Sequence, residues 1–105
     1  MEAKAVMIMT TVDGEDAAAR LATTLVERRE AACVQQLDIR SRYRWRGEVK
    51  CDPEILLLVK TTQAAAPAAM RTIRDEHPYD VPEILALPVT DGLPAYLEWL
   101  QAETR

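Results

Sequence analysis

Residues 31–61 decide the fold, and they read AACVQQLDIRSRYRWRGEVKCDPEILLLVKT. The stretch predicts two long β-strands, 31–45 and 48–61, joined by a tight turn at Arg46-Gly47. Arginines alternate with other residues near the tip of the first strand, so they share one face of it. A strand of fifteen residues reaches roughly 50 Å, whereas a compact domain of this size has a radius of gyration of about 13 Å. The hairpin must therefore bend, carry a bulge or pair with another copy of the chain.

The rest of the chain predicts two main helices, two further strands and a closing helix. The expected elements are a strand over 4–12, a helix over 15–30 capped by Asp13, a helix over 64–76, a strand over 82–89 and a helix over 93–100. This order, βαββαβ plus a C-terminal helix, indicates a single α+β, ferredoxin-like domain over 1–105, an antiparallel sheet with both main helices on one face. The other face is apolar yet uncovered, which is a second sign that the chain forms an oligomer.

Composition narrows the class of protein. The 105 residues are 49% hydrophobic and 29% charged, as in ordinary soluble domains. A net charge of −4 argues against a general nucleic-acid or anionic-membrane binder. No apolar run approaches the ~20 residues of a membrane helix. The apolar run at 5–9 is too short for a signal peptide, so we expect a cytoplasmic protein.

The two cysteines support the same compartment. With the turn at Arg46-Gly47, Cys33 faces a residue near Lys60 and Cys51 faces one near Arg42. That separation far exceeds the ~7 Å limit for a disulfide. Free thiols fit a reducing environment. Two residues after Cys51, Pro53 cannot donate a ladder hydrogen bond, so it predicts a bulge or a sheet edge at this point of the second strand.

Residues 75–83 hold the densest cluster of candidate chemistry. An imidazole beside carboxylates can bind a borderline divalent cation such as copper or zinc, which makes His77 with the carboxylates of this segment a candidate metal site. The competing interpretation is structural, because His77 continues the inner stripe of the second helix and a histidine ending a helix is commonly packed or capping. No nucleophile, phosphate-loop or zinc-protease motif is present, so we expect no catalysis and no required cofactor.

The arginine row of the hairpin allows three interpretations. Four arginines share its face: Arg40, Arg42, Arg44 and Arg46. A basic ribbon could enter a nucleic-acid groove. The favoured interpretation is an edge salt-bridged to Glu48 and Asp52 across the turn, which discourages aggregation. An anion or nucleotide site that also uses Lys60 at a subunit junction is the third.

Six pieces of the chain, in this order, resemble the CutA divalent-cation-tolerance proteins along nearly the whole length. They are residues 30–34 (EAACV), 43–47 (YRWRG), 56–61 (LLLVKT), 77–83 (HPYDVPE), 86–89 (ALPV) and 96–100 (YLEWL). The resemblance implies a ferredoxin-like subunit in a homotrimer shaped like the PII signalling proteins, with the hairpin linking neighbouring sheets. It also implies a cytoplasmic protein involved in tolerance of copper and other divalent cations, without established catalytic activity.

The resemblance also implies site residues. Copper ligands assigned in some members correspond here to Thr10, Glu76 and His77, where Thr10 replaces a cysteine and Glu76 replaces a second histidine. Because a hydroxyl and a carboxylate are harder ligands, the resemblance implies weak binding through His77 and Glu76.

Three functions are weighed on this basis. The first is a non-enzymatic trimer that binds divalent metal weakly. The second is a PII-like sensor of anions or small molecules whose inter-subunit cleft is lined by Arg44, Lys60, His77 and Tyr79. The third is a purely structural or interaction trimer. In each case we expect Tyr43 and Trp45, near the hairpin tip, to be buried against a neighbouring subunit.

Overall fold

A computed structural model gives the structure of residues 5–105, and Lys4, at the predicted start of the first strand, lies outside the described residues. The elements follow the predicted order. They are β1 (Ala5–Val12), α1 (Glu15–Glu27), β2 (Cys33–Trp45), β3 (Glu48–Thr62), α2 (Ala66–Glu76), β4 (Leu85–Val89) and α3 (Pro94–Ala102). The α+β class and the ferredoxin-like order are therefore confirmed.

The four strands form one antiparallel sheet in the order β2-β3-β1-β4. The first strand is central, as its nearly continuous apolar sequence predicts. Helices α1 and α2 cover one face, where alternate residues of β1 and β3 join them in the core. The fully buried members of this core include Ile8, Val12, Leu25, Leu57, Val59 and Ile73. None of the helices in the described part of the chain has the length and apolarity needed to span a bilayer.

The hairpin of β2 and β3 extends far beyond the rest of the sheet. Arg46 and Gly47 have φ angles of 51° and 81°, the two positive values that a two-residue type I′ turn requires. Pairing runs from Trp45 opposite Glu48 to Cys33 opposite Lys60, which is the predicted register, and it contains no bulge. Because β1 pairs only with the Ile55–Thr62 part of β3, residues 39–54 project past it; we call them the overhang.

The overhang makes the subunit elongated. The molecule measures 47 × 25 × 21 Å and its radius of gyration is 14.4 Å, above the ~13 Å of a compact domain of this length. Pro53 lies within the overhang opposite Arg40, on the part of β3 that lacks a neighbour on the β1 side. Of the two alternatives for Pro53, the sheet edge is therefore correct and the bulge is not.

The sheet surface opposite α1 and α2, which we call the open face, remains largely uncovered. Apolar side chains point to it from β4, with Leu85, Leu87 and Val89 exposed by 55%, 38% and 36%. Helix α3 closes only one end: the Lys60 ammonium lies 5.8 Å from the centre of the Tyr96 ring. The predicted uncovered apolar face is present.

Several predicted boundaries and contacts are wrong. Asp13 does not cap α1, because the helix begins at Glu15 and Gly14 holds the cap position without a side-chain hydrogen bond. The same helix ends at Glu27 rather than at residue 30, since Arg29 is left-handed with a φ of 60°. The α2 helix begins at 66 rather than 64. The fourth strand begins at 85 rather than 82, at the residue where its pairing with β1 starts.

The closing helix also differs from its prediction. It spans Pro94–Ala102 rather than 93–100. Of its predicted apolar side only Leu100 is buried, while Leu93 is 71% and Tyr96 is 39% exposed. The helix is instead fastened at its C-terminal end, where the Arg29 guanidinium donates to the Ala102 carbonyl at 2.7 Å.

Candidate functional site

His77 ends α2 and is locked in place by both of its ring nitrogens. It is 9% exposed. Nε2 lies 2.8 Å from the Thr11 carbonyl oxygen, and Nδ1 accepts the backbone N–H of Tyr79 at 3.1 Å. Since a carbonyl can only accept, Nε2 is the nitrogen that donates, and Nδ1 is the one that accepts. The ring also packs against that of Tyr79, with centroids 4.8 Å apart. His77 thus ties the segment after α2 to the end of β1.

The three positions carried over as copper ligands do not form a donor set in the single chain. Thr10 is fully buried in the core, and its hydroxyl has no hydrogen-bond partner among the described residues. Both nitrogens of His77 are engaged, so a metal would have to displace Tyr79 N–H or Thr11 O. Glu76 alone is exposed and available. Among residues 5–105, no three His, Cys, Asp or Glu side chains are grouped to hold a metal.

An open cleft of about 920 Å³ lies on the open face where the overhang leaves the sheet. Its floor consists of overhang residues, and residues 79–83 form one wall. The acidic residues that line it are Asp13, Asp52, Glu54, Asp80 and Glu83; the basic residue among the described lining is Arg42, whose side chain the strand pairing places on the opposite face. Three aromatic rings join them: Tyr43, Trp45 and Tyr79. We call this the acidic–aromatic cleft.

These carboxylates were not predicted to form one site, although the sequence carries the signal for two of them. Alternation and a two-residue turn place Asp52 and Glu54 on the same face of the overhang as Tyr43. Alternation does not predict that residues 79–83 line the cleft, because their position depends on the path of a loop that His77 holds in place.

Two phenols in the cleft are bound to carboxylates. Tyr79 donates its hydroxyl to Glu54 Oε2 at 3.0 Å, and Tyr43 donates to Asp52 Oδ2. Burial, then the hydrogen bond to Glu54 and the negative charges of Glu54 and Asp13, raise the pKa of Tyr79 above its ordinary value. The hydrogen bond to Asp52, more than desolvation and nearby charge, raises the pKa of Tyr43. Both phenols therefore stay protonated near neutrality and act as donors.

The predicted sensing cleft is not assembled within one chain. Tyr79 lines the acidic–aromatic cleft, but Arg44 points to the opposite face of the overhang and Lys60 lies beside Tyr96. On β3, Lys60 is eleven residues from Val49, the partner of Arg44, a distance of roughly 36 Å. These three side chains could meet only across subunits.

The arginine row is not salt-bridged to Glu48 or Asp52, so that expectation is wrong. Across the turn, an even-numbered residue of β2 pairs with an odd-numbered residue of β3. The pairs are Arg40 with Pro53, Arg42 with Cys51 and Arg44 with Val49. The two carboxylates lie on the other face, where Glu48 pairs with Lys50 at 3.3 Å. Arg46 belongs to the turn and lies 5.7 Å from the Trp45 ring centre.

The aromatic residues at the hairpin tip are accessible in the single subunit. Trp45 is 50% and Tyr43 is 41% exposed, the degree of exposure that allows burial against a second subunit. The cysteines are both free, with Cys33 half-buried and Cys51 exposed, as the register predicted.

A four-stranded antiparallel sheet with α1 and α2 on one face, an overlong hairpin and an acidic cleft define a ferredoxin-like α+β protein. Comparison with known proteins identifies its family. The model of the CutA1 divalent ion tolerance protein family matches residues 6–103, so the chain belongs to that family.

Individual relatives agree with this assignment. The chain is 48% identical over 99 residues to the divalent-cation tolerance protein CutA of Thermus thermophilus, covering 93% of this chain and 96% of the relative. It is 41% identical over 101 residues to the chloroplastic protein CutA of Arabidopsis thaliana, of which it spans 56%. The solved structure of the Thermus thermophilus protein superposes with a TM-score of 0.92 at 46% identity, covering 96% of this chain and 99% of that one.

Proposed function

We propose that this chain acts in divalent-cation tolerance as a homotrimer without catalytic activity, and that it binds divalent metal weakly. Membership of the CutA1 family supports the tolerance role. The observation that carries the assembly is the overhang, which extends past β1 and presents Trp45 half-exposed beside the open face. In an assembly of three copies, neighbouring chains would cover the open face and the Trp45 ring.

The donor chemistry supports weak metal binding of low selectivity. His77 offers no free lone pair, and displacing Tyr79 N–H would leave a donor unsatisfied at a cost of about 1–3 kcal/mol. The remaining accessible donor of the predicted pair is the Glu76 carboxylate. Oxygen donors alone do not distinguish copper sharply from other divalent cations. We propose that Glu76 and other exposed carboxylates hold the metal, while His77 has a structural role.

Calorimetry tests this proposal. Cu(II) and Mn(II) are titrated into the parent, His77→Ala and Glu76→Gln, with folding of each variant checked by circular dichroism. We expect weak binding of both metals, unchanged by His77→Ala and reduced by Glu76→Gln. Tight Cu(II) binding in the parent that His77→Ala abolishes would contradict the structural role of His77 and restore it as a ligand.

The absence of catalysis is proposed from the state of the candidate groups. Both nitrogens of His77 are hydrogen-bonded, and the phenols of Tyr43 and Tyr79 are held protonated by carboxylates. The two phenols are therefore not poised for proton transfer near neutral pH, and the ring of His77 is already engaged in two hydrogen bonds. A cytoplasmic location is proposed from the free thiols of Cys33 and Cys51.

The sensing function stays as the second candidate because the arginine row makes no ion pair within residues 5–105. The acidic lining of the cleft disfavours an anion there, so an anion would have to bind on the arginine side. A thermal-shift screen with phosphate and nucleotides tests this, since a ligand at 100 times its dissociation constant stabilises by about 2.7 kcal/mol. A flat response to all of them would remove the sensing function.

A further inference from the structure

The overhang carries opposite charges on its two faces. Arg40, Arg42 and Arg44 point to one side, where their cross-strand neighbours are Pro53, Cys51 and Val49. The other side holds the acidic–aromatic cleft. Alternation along a two-stranded ribbon puts successive residues on opposite faces. One short segment therefore presents a basic surface and an acidic surface that point in opposite directions.

Neither surface is neutralised within the described part of the chain. The side-chain ion pairs there are Arg29 with Glu103, Lys50 with Glu48, and Arg74 with Asp75. None of them uses the arginine row or a carboxylate that lines the cleft. The cross-strand neighbours of the row are Pro53, Cys51 and Val49, the last 68% exposed, and none of them offers the guanidiniums a carboxylate.

A polar group inside the cleft also lacks a partner. Thr11 is 6% exposed and points to the open face, where it lines the cleft. Its hydroxyl makes no hydrogen bond to the described residues, whereas the neighbouring phenols of Tyr43 and Tyr79 do. A hydroxyl oxygen in this position can accept from a donor that enters the cleft.

We propose that the arginine row of one subunit docks in the acidic–aromatic cleft of the next. The inference rests on the proposed homotrimer and assigns its contacts. A guanidinium forms bidentate bonds to carboxylates and stacks on aromatic rings, which are the two kinds of group that line the cleft. The Trp45 ring already accepts the guanidinium of Arg46 at 5.7 Å. In the docked pair, Arg44 and Arg40 of the next subunit add further guanidinium contacts, which reach toward Asp80 and Glu83.

The geometry of the two surfaces sets the symmetry. Because the contact joins two different patches, the interface is heterologous, and such an interface closes into a ring when the rotation allows. Each subunit then gives its arginine row to one neighbour and receives the row of the other. The cleft is complete only when a second copy supplies the cations.

Charge reversal tests the docking. Two double variants are made: Arg40→Glu with Arg44→Glu, and Asp80→Lys with Glu83→Lys. The last two side chains make no hydrogen bond or ion pair within residues 5–105, so their change should not disturb the fold. The matched control is Arg20→Glu with Arg71→Glu, the same charge change on exposed helix positions. Sedimentation at 0.1 M salt gives the association state, and circular dichroism confirms folding.

We expect each reversal to raise the protomer concentration at half-dissociation by about 100-fold or more, because each leaves like charges facing at the interface. The control should associate like the parent. A chain carrying both reversals should regain the trimer, because the charges are then exchanged. Added salt should weaken the association of the parent and of the exchanged chain to a similar degree.

The outcomes separate this inference from the proposed function. Trimers that persist in both reversals would overturn the docking while the homotrimer stands. Failure of the exchanged chain to reassociate would also overturn it. A monomeric parent would remove the homotrimer itself, and the docking with it.

Discussion

Replacement of His77 by alanine should destabilise the protein strongly, although the residue stands where a metal ligand is expected. The change removes two hydrogen bonds, to the Thr11 carbonyl and from Tyr79 N–H, at about 1 kcal/mol each. It also removes the packing of two rings whose centres lie 4.8 Å apart, which adds about 0.5–1.5 kcal/mol. The expected loss is about 3 kcal/mol of unfolding free energy.

Chemical denaturation measures this loss. Because folding is coupled to association in an oligomer, parent and variant are compared at one protomer concentration. A loss of that size corresponds to a fall of very roughly 10–25 °C in melting temperature for a domain of this length. The metal-free protein is used throughout, so the effect reports on structure alone.

Glu76→Ala is the matched control, since this neighbouring side chain is exposed and makes no hydrogen bond within the described residues. We expect it to change stability by less than about 0.5 kcal/mol. Equal, small effects of His77→Ala and Glu76→Ala would refute the structural role of His77, because the ring would then be dispensable to the fold.

Three further predictions concern the hairpin and the cleft. Trp45→Ala removes a half-exposed ring that we expect at the subunit interface. It should cost about 2–3 kcal/mol per subunit in lost burial and lower the mass measured by sedimentation. The control Val26→Ala, at a position on α1 that is 42% exposed, should change neither the stability nor the mass. The parent should lose stability above pH ~10. The raised pKa of Tyr79 keeps its phenol protonated in the folded state, while the same phenol ionises in the unfolded chain. In alkaline denaturation, Tyr79→Phe should therefore lose less stability with rising pH than the parent. Gly47→Ala should cost about 1–2 kcal/mol by thermal melting, because the turn holds residue 47 at a φ of 81°; no loss would mean that the turn changes type.

The hairpin shows how far the sequence determines this fold. A two-residue turn at Arg46-Gly47 and a side-chain period of two fix the register, so the partners of Cys33 and Cys51 follow from residue numbers alone. The same arithmetic places Asp52 away from the arginine row. The salt-bridge prediction failed because it counted residues across the turn without following which face each one occupies.

The candidate site was harder to predict for a physical reason. Residue type marked His77 as a ligand, but its availability depends on where the Thr11 carbonyl and the Tyr79 amide lie after folding. Likewise, α1 starts at Glu15 as predicted, but Gly14 rather than Asp13 holds its N-cap position. Local propensity does not contain these tertiary contacts.

The mass of the folded protein in solution tests the central claim most directly, namely that the overhang and the open face are completed by identical neighbours. Sedimentation equilibrium at micromolar concentration should return about three times the 11.8 kDa of one chain. A mass of 11.8 kDa for a folded species under the same conditions would contradict the account.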